Sequence, residues 1–456
     1  MLPKAIVFIM LPIYMRYLSP EEYGLIQTIN ALVSVLSILY LNSLRTSVTR
    51  SYIDYDKHEE KQGFVLSLFI FMFVFSIFLS YLLLSSENII APLIFNNIPK
   101  VPYFKYLIIL SLLSIFPILP LTMFRIREKA ILFVSLNLLE TVLIVLFTIY
   151  LLIIKDLGAI GSLRALIYAR TVMAIIYTVY IIYFTKLDFK KFKNYYITSS
   201  LLLAIPLIPH FLAGWFNNAG DRVLIEHFLS LYELGIYSVG AQFNSGLMLL
   251  VTSFNLAFAP RFYKIMKQQK MKQTLFTNIF NFAVSSMVLV SFLVIIMLPF
   301  FIRHFGVESY QSNYIFIWLL IGGTLWHLGY IMSVSSLIYF KKMNKVAIIT
   351  VITALVNILL NLVLIPIMGI LGASLATYIA YFCEFYFVKR LANNFIKEIF
   401  KIEASLLYRL QILLLINLLA FYLLNNYIIV VASCMYIVWF IIKSYKNGNF
   451  KQMLSF

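Results

Sequence analysis

Residues 221–240 read DRVLIEHFLSLYELGIYSVG and form a short polar interruption between two long apolar runs. The start of the chain carries a related stretch, because RYLSPEEYG at residues 16–24 aligns with HFLSLYELG at residues 227–235. The alignment matches a leucine, a serine, a glutamate and a glycine, and the two glycines, Gly24 and Gly235, are 211 positions apart. This match indicates an internal repeat.

A second pair of motifs has the same separation. GAIGSLRALIYA begins at Gly158 and GILGASLATYIA begins at Gly369, again 211 positions later. One constant spacing across two motifs predicts two homologous halves, each a bundle of membrane helices. Both motif pairs are expected in short outside loops, so the halves would share one orientation and be related by a pseudo-twofold axis along the membrane normal. Parallel repeats of this kind are typical of transporters that bind substrate between the halves.

The composition supports a membrane location. Hydrophobic residues make up 62% of the 456 residues and charged residues 12%, and a soluble fold has no interior large enough for that apolar fraction. The two cysteines, Cys383 and Cys434, both fall in apolar runs without metal-ligand spacing. We therefore expect no metal site and no cofactor.

A membrane span needs about 20 apolar residues, and this rule predicts fourteen spans. They lie at residues 2–17, 24–44, 63–84, 104–124, 131–154, 159–184, 198–218, 236–257, 278–302, 312–338, 345–365, 369–388, 407–424 and 427–442. The predicted fold class is thus an all-α polytopic membrane protein with two six-helix lobes and a C-terminal helix pair. The domains are an N-terminal lobe at 1–190, a C-terminal lobe at 191–400, and the pair with its tail at 401–456. Because the first span is short, an upstream start of the chain is left open.

Basic residues predict the orientation. Most of the 36 lysines and arginines fall in alternate loops, beginning with the loop after the second span. The positive-inside rule then places these loops and both termini in the cytoplasm. The basic loops therefore need no nucleic-acid partner to explain them.

A few cations fall inside or beside spans and are the candidates for substrate binding. Lys4, Arg164 and Arg170 lie within spans, and Arg16 and Arg222 lie nearer the outer mouth. A cation inside a span costs at least about 2.5 kcal/mol unless it faces a cavity, a partner or an anion. Arg164 and Arg170 are about 9 Å apart along a helix and roughly 120° apart around it. They are either partners in structural ion pairs or residues that line a wide cavity.

Three acids are candidates for ion coupling. Glu140 on the fifth span lies next to the arginines of the sixth and is expected to form an ion pair. Asp221 either caps a short helix that runs to Leu234 or binds an ion, and it is not expected to contact its neighbour Arg222. Glu384 has no basic residue three or four positions away on its own helix, so it is the favoured coupling residue.

Helix breakers predict bends in three spans. They occur in pairs at Pro117 and Pro120, at Pro206 and Pro209, and at Gly322 and Gly323. The proline pair of the seventh span marks that span as the best candidate for a moving element. His327, close to the glycine pair, is either a titrating or sugar-binding residue or a hydrogen-bonded packing residue.

Four stretches carry a family resemblance. They are LPIYMRYLSPEEYGLI at 11–26, residues 221–240 as quoted above, PRFYK at 260–264 and NLVLIPIMGILGASLATYIAYF at 361–382. Together they resemble the Wzx-type O-antigen and polysaccharide flippases of the multidrug/oligosaccharidyl-lipid/polysaccharide (MOP) exporter superfamily. The resemblance implies an all-helical transporter of the bacterial inner membrane that moves undecaprenyl-diphosphate-linked oligosaccharide, for O-antigen, lipopolysaccharide or capsule biosynthesis, from the cytoplasmic to the outer leaflet. It also implies that the basic cavity residues hold the diphosphate.

Partners and alternatives follow from the same reasoning. The expected partners are the lipid-linked oligosaccharide, the bilayer, a proton or sodium ion, and the polysaccharide polymerase machinery. No Walker motif is present, so no bound nucleotide is expected to drive transport directly. The alternatives are a small-molecule exporter of the same superfamily and a membrane-embedded polymerase or glycosyltransferase. The enzymatic alternative is disfavoured because no outside loop is long enough for a catalytic domain, and no catalytic residue is assigned.

Overall fold

The computed structural model describes residues 2–269, 271–305, 308–310, 314–397 and 399–424. These residues form helices and connecting turns, with no strand among them. In chain order the α-helices are α1 (Leu2–Tyr17), α2 (Pro20–Ser37), α3 (Leu44–Asp54), α4 (His58–Ser85), α5 (Glu87–Ile94), α6 (Lys100–Leu113), α7 (Ile118–Ile126), α8 (Ala130–Thr148), α9 (Gly158–Thr185), α10 (Asn194–Ala204), α11 (Ile208–Trp215), α12 (Asp221–Phe228), α13 (Leu231–Lys267), α14 (Gln273–Phe305), α15 (Phe316–Tyr339), α16 (Met343–Met368), α17 (Ile370–Ile396) and α18 (Ser405–Leu424). The predicted all-α fold class is confirmed.

Several of these helices join into longer spanning segments. Within the described residues, eleven segments are long and apolar enough to cross a membrane, and they correspond in order to the second to twelfth predicted spans. The first predicted span is α1, a helix of 16 residues, and the thirteenth is α18, which begins at Ser405. The fourteenth, at 427–442, lies outside the described residues.

Irregular turns divide the joined segments. Three π-helical turns, Ile38–Asn42, Ile149–Ile154 and Phe216–Gly220, connect α2 to α3, extend α8, and connect α11 to α12. Two further turns, the 3₁₀ helices Phe189–Lys191 and Ile205–Leu207, precede α10 and α11. Inserted turns of this type change the direction of a helix at identifiable residues.

The proline pairs bend the chain as predicted. Pro117 caps the start of α7 after a break that follows α6. Pro206 lies in the 3₁₀ turn between α10 and α11. Both positions fit proline, because a helix start leaves backbone N–H groups without helical partners in any case.

The prediction of a bend at Gly322 and Gly323 is wrong. Helix α15 runs without interruption from Phe316 to Tyr339. Glycine keeps its backbone N–H, so it does not remove a helical hydrogen bond as proline does.

By residue contacts the chain divides into two compact units. An N-terminal unit comprises Leu2–Gly235, and a C-terminal unit begins at Ile236. Helices α10 and α12 belong to the N-terminal unit, where α10 packs on α3 and α4 and α12 packs on α2. The boundary predicted near residue 190 refers to the sequence repeat and remains a prediction.

The two copies of the first repeat motif pack on each other within the N-terminal unit. A Cβ atom on Gly24 would collide with the carbonyl oxygen of Leu231, and one on Gly235 would collide with that of Pro20. The start of α2 is fixed by a capping box, in which Ser19 Oγ accepts from the backbone of Glu22 at 3.2 Å. The glycines therefore permit a backbone approach that no other residue type allows.

The start of α2 is also tied to the second repeat motif. The Glu22 carboxylate accepts from the backbone N–H of Ser19 at 3.1 Å and from that of Ala159 at 3.0 Å. Gly158, which precedes Ala159, has a left-handed φ of 52°. This glycine allows the turn that points the first N–H groups of α9 at the carboxylate.

In the C-terminal unit the central element is α15, which is buried along nearly its whole length. It packs most extensively on α17 and also contacts α14, α16 and α18. Gly323 and Gly329 of α15 lie against the rings of Tyr381 and Phe385 of α17. Small residues at this interface bring the two helices close together, as is usual between membrane helices.

Candidate functional site

A charged cavity of about 180 Å³ lies inside the N-terminal unit. Helices α3, α8 and α9 contribute its ionisable residues, and the break between α6 and α7 contributes backbone and small side chains. The lining residues are Ser37, Asn42, Arg45, Leu113, Ser114, Phe116, Pro117, Glu140, Arg170, Met173, Ala174 and Tyr177. Two arginines and one glutamate give the lining a net positive charge.

An ion pair forms one wall of this cavity. Arg170 Nε lies 3.9 Å from Glu140 Oε1, and the two side chains are 28% and 24% exposed. The pair joins α9 to α8, as expected from their succession in sequence. At this distance and exposure the contact is loose, so a stronger anion can compete with Glu140 for Arg170.

Arg45 is a functional candidate that the sequence analysis missed. It was assigned to a cytoplasmic loop because the apolar run ends at residue 44, yet it lies near the start of α3. Leu41 adopts a left-handed conformation with φ 65° in the π-helical turn, which redirects the chain and lets helix resume. Leu44, Val48 and Tyr52 are buried at intervals of four residues, and this helical periodicity is the signal that could have revealed α3.

Polar groups complete the lining. The Tyr177 hydroxyl is buried and makes no hydrogen bond within the described residues. Ser114 Oγ donates to the carbonyl oxygen of Ser111 at 2.6 Å, which leaves its lone pairs as acceptors. The cavity thus offers two guanidinium groups and one uncommitted hydroxyl.

Arg164 lies apart from this cavity. Its Nε donates to the Tyr106 hydroxyl on α6 at 2.8 Å, and it is not among the lining residues. The sequence predicted that Arg164 and Arg170 point in different directions from one helix, and the structure agrees. A role for Arg164 in substrate binding stays a prediction.

Arg16 and Arg222 are not among the lining residues. Arg16 is exposed in the last turn of α1, and Lys4 lies in the same helix. Arg222 lies at the start of α12 and donates from Nη1 to the carbonyl oxygen of Asn218 at 2.8 Å. Their roles in substrate binding stay predictions.

Asp221 and Arg222 contact each other, contrary to expectation. Arg222 Nη1 lies 3.5 Å from Asp221 Oδ1, which also accepts from the Arg222 backbone N–H at 2.8 Å. The sequence argument considered only ideal helix positions, whereas this pair sits where the π-helical turn meets the first turn of α12 and the long arginine side chain folds back. The helix that begins at Asp221 ends at Phe228, not at Leu234. A role for Asp221 in ion coupling stays a prediction.

Glu384 is paired in the C-terminal unit. Its carboxylate is 4% exposed, and Oε2 lies 3.8 Å from Nδ1 of His327 on α15. The sequence of α17 does not reveal this partner, because His327 lies on another helix. The ion-coupling role assigned to Glu384 stays a prediction.

Glu226 is a second buried acid that the sequence analysis did not single out. It is fully buried at the end of α12. Its Oε1 accepts from the backbone N–H groups of Asn96 and Asn97. No local pattern in the sequence distinguishes it from the exposed acids of the loops.

The geometry defines a class of protein: a polytopic, all-helical membrane protein with a cationic cavity lined by helices of its N-terminal unit. Comparison with known sequences gives the family. The chain belongs to the polysaccharide biosynthesis protein family, whose model matches residues 1–266.

The similar proteins are distant in sequence and align over part of their length. The chain is 27% identical over 205 residues to Lsg locus putative protein 1 of Haemophilus influenzae, an alignment that covers 42% of this chain and 50% of that protein. It is 29% identical over 212 residues to the capsular polysaccharide biosynthesis protein CapF of Staphylococcus aureus, with coverage of 44% and 51%. The chain therefore matches about half the length of these relatives.

Solved structures show the fold. The lipid II flippase MurJ in an inward closed conformation aligns over 98% of this chain and 97% of its own, with a TM-score of 0.73 and 16% identity. An inward-facing multidrug resistance MATE family transporter of the MOP superfamily aligns over 87% and 95%, with a TM-score of 0.62 and 10% identity. The predicted fold is confirmed.

Proposed function

We propose that this protein is a flippase that moves an undecaprenyl-diphosphate-linked oligosaccharide, an O-antigen or capsule repeat unit, from the cytoplasmic to the outer leaflet. The observation that carries the proposal is the cavity between α3, α8 and α9, with Arg45 and Arg170 on its wall. The protein acts as a transporter and not as an enzyme. It resides in the bacterial inner membrane with both termini in the cytoplasm.

The charges of the cavity suit a diphosphate. Guanidinium groups bind phosphate oxygens through two parallel hydrogen bonds, which a lysine cannot reproduce. Glu140 holds Arg170 only loosely at 3.9 Å. An entering diphosphate binds the guanidinium groups of Arg170 and Arg45 together. The negative charge of Glu140 then lowers the affinity for the diphosphate, so that it can be released.

The size of the cavity limits what it holds. A volume of about 180 Å³ is many times the roughly 10–15 Å³ that one water molecule needs. Such a volume has room for a small polar head. We therefore assign only the diphosphate to this cavity, with the sugars outside it and the polyprenyl chain in lipid.

Two similar proteins support a lipid-linked saccharide as the substrate. One matched protein serves capsular polysaccharide biosynthesis, and the structurally similar MurJ is a lipid II flippase. A small-molecule exporter is the second candidate, favoured by the likeness to a multidrug MATE transporter. An interaction with the polysaccharide polymerase machinery is expected for a flippase and is not expected for a small-molecule exporter.

Transport in proteoliposomes tests the proposal. Purified protein is reconstituted with a fluorescent undecaprenyl-diphosphate oligosaccharide, and the labelled lipid that reaches the opposite leaflet is quantified with a membrane-impermeant quencher. We expect Arg45→Ala and Arg170→Ala to lower the initial rate at least tenfold. Arg50→Ala is the matched control, because Arg50 is exposed on the same helix as Arg45, and it should retain the wild-type rate.

Two outcomes contradict the proposal. Wild-type protein that leaves the lipid-linked oligosaccharide in its original leaflet, while it exports small organic cations, establishes the alternative function. Arg45→Ala and Arg170→Ala proteins that both transport at the wild-type rate remove the cavity from the mechanism.

A further inference from the structure

A histidine and a glutamate face each other in the middle of the C-terminal unit. His327 is the twelfth of the 24 residues of α15, and Glu384 is the fifteenth of the 27 residues of α17. Both lie about 15 to 20 Å from either end of their helices. The pair is therefore near the midplane of two spans, where an uncompensated charge is most costly.

Aromatic rings pack against the pair and leave the His327 side chain 20% exposed. The rings of Tyr330 and Tyr381 lie 5.2 Å and 5.1 Å from the His327 ring. Phe385 lies one turn after Tyr381 on α17, and Gly329 of α15 packs against its ring. Trp326 stacks on the same phenylalanine at 5.5 Å. This closely packed interface leaves Glu384 only 4% exposed.

The neighbouring helices supply no other charge to the pair. Helix α16 carries no ionisable residue from Val346 to Met368. Lys389 of α17 lies over the rings of Phe385 and Tyr408. Among the described side chains, the other titratable groups on these helices and on those packed against them are Tyr330 and Tyr339 on α15, Tyr378, Tyr381, Cys383, Tyr386 and Arg390 on α17, Lys345 on α16, Tyr232, Glu233, Tyr237, Tyr263 and the basic residues of the last turns on α13, Arg303 and His304 on α14, and Tyr408 and Arg409 on α18.

The contact between the two side chains is unusual in its hydrogen bonding. His327 Nδ1 and Glu384 Oε2 are 3.8 Å apart, and neither atom makes a hydrogen bond within the described residues. Buried polar atoms without partners are rare and call for an explanation, such as a functional role. A proton that binds at this pair provides such an explanation.

We propose that His327 and Glu384 form a site for one proton, and that loss of this proton opens the α15–α17 interface to water. With one proton, carried by the Glu384 carboxyl, both groups of the pair are neutral and no charge is buried. Without it the pair carries one negative charge in a closed apolar interface, and water must enter to solvate that charge. The proton thereby determines whether the central helix of the C-terminal unit is tightly packed.

A proton fits this site better than a metal ion does. Within the described residues, no group of three or more histidine, cysteine, aspartate or glutamate side chains could hold a metal. One carboxylate and one imidazole are too few ligands for a structural or catalytic metal site. If the proposed transport function is correct, this proton site is where a pH gradient acts on it.

Infrared difference spectroscopy of the full chain in lipid vesicles tests the site without any sugar substrate. Spectra recorded at acid and alkaline pH should show one buried carboxylic acid that loses its proton. Glu384→Gln should abolish this signal, and His327→Gln should keep it but change the pH at which it occurs. Glu403→Gln and His304→Gln are the matched controls, because both residues are exposed, and both should behave as wild type.

Hydrogen–deuterium exchange on the same samples tests the opening. Exchange is expressed as protection, the ratio of the intrinsic exchange rate at the same pH to the observed rate, because amide exchange is itself base-catalysed. Protection in α15 and α17 should fall at least tenfold from acid to alkaline pH in wild type and remain high at both in Glu384→Gln. A carboxylic signal that survives Glu384→Gln overturns the assignment, and so does a transition that follows sodium concentration instead of pH. Protection that is the same at both pH values overturns the proposed opening. Because neither measurement involves transport, failure here leaves the flippase proposal standing.

Discussion

Glu226 Oε1 lies 2.6 Å from the backbone nitrogen of Asn97 and 3.1 Å from that of Asn96. The amide side chains reciprocate, since Asn97 Nδ2 donates to the carbonyl oxygen of Glu226 at 2.5 Å and Asn96 Nδ2 to that of His227 at 2.8 Å. Four hydrogen bonds thus tie the loop after α5 to the end of α12. Helix α12 ends the segment whose prolines predict movement, and these bonds fix that end of the segment to the loop after α5.

Replacing Glu226 should loosen this connection. Glu226→Gln retains one carbonyl acceptor but loses the charge that strengthens two hydrogen bonds, and we expect a loss of about 1–3 kcal/mol in the free energy of unfolding. Thermal unfolding and hydrogen–deuterium exchange at residues 95–99 provide the measurement. Glu21→Gln, at an exposed acid, serves as control. Unchanged exchange at 95–99 would show that the buried carboxylate contributes nothing to the connection.

Gly235→Ala should destabilise the N-terminal unit. The added methyl group would collide with the backbone carbonyl of Pro20, and backbone atoms cannot move aside as a flexible side chain can. A cost of at least about 2 kcal/mol is expected from overpacking of this kind. Gly246→Ala on the same helix has open space and should be neutral or stabilising by up to about 1 kcal/mol. Equal thermal unfolding midpoints for the two variants would contradict the close approach.

Arg170→Lys should weaken anion binding by less than Arg170→Ala does. Lysine keeps the charge but not the two parallel hydrogen bonds of a guanidinium group. With inorganic pyrophosphate as probe, isothermal titration should show that Arg170→Lys lowers the affinity about tenfold and that Arg170→Ala lowers it further. A bidentate contact with a charged group contributes about 1.5–3 kcal/mol. Arg50→Lys provides the control. Lysine binding as tightly as arginine would mean that only charge matters at this position.

Glu140→Gln should strengthen binding of the same probe. The substitution removes a negative charge that lies 3.9 Å from Arg170 and that repels an entering phosphate. At the dielectric of a partly exposed site this repulsion is about 1 kcal/mol, or roughly fivefold in affinity. Glu128→Gln, at an exposed position, should leave affinity unchanged. Weaker binding in Glu140→Gln would show that the glutamate positions Arg170 and does not compete with the ligand.

Local and adjacent features of the site could be predicted from sequence. The Glu140–Arg170 pair follows from two spans that succeed each other in the chain, and the tight packing of Gly24 and Gly235 coincides with the positions where the repeat motifs match. The position of Arg45 could not be predicted from hydropathy, because a π-helical turn let the helix continue past the end of the apolar run. The partners of Glu226 and Glu384 come from residues far away in sequence, at 96–97 and at 327.

The amino-acid sequence by itself determined the all-helical fold, the spanning segments and the internal repeat. Apolar length and charge distribution are properties of single segments, and in a bilayer each segment must satisfy its own backbone hydrogen bonds by forming helix. Only the tertiary structure decided which polar side chains from distant parts of the chain meet. A contact such as that of His327 with Glu384 depends on the rotation and depth of two separate helices, and these are fixed by packing at residues such as Gly323 and Gly329 and not by either segment alone.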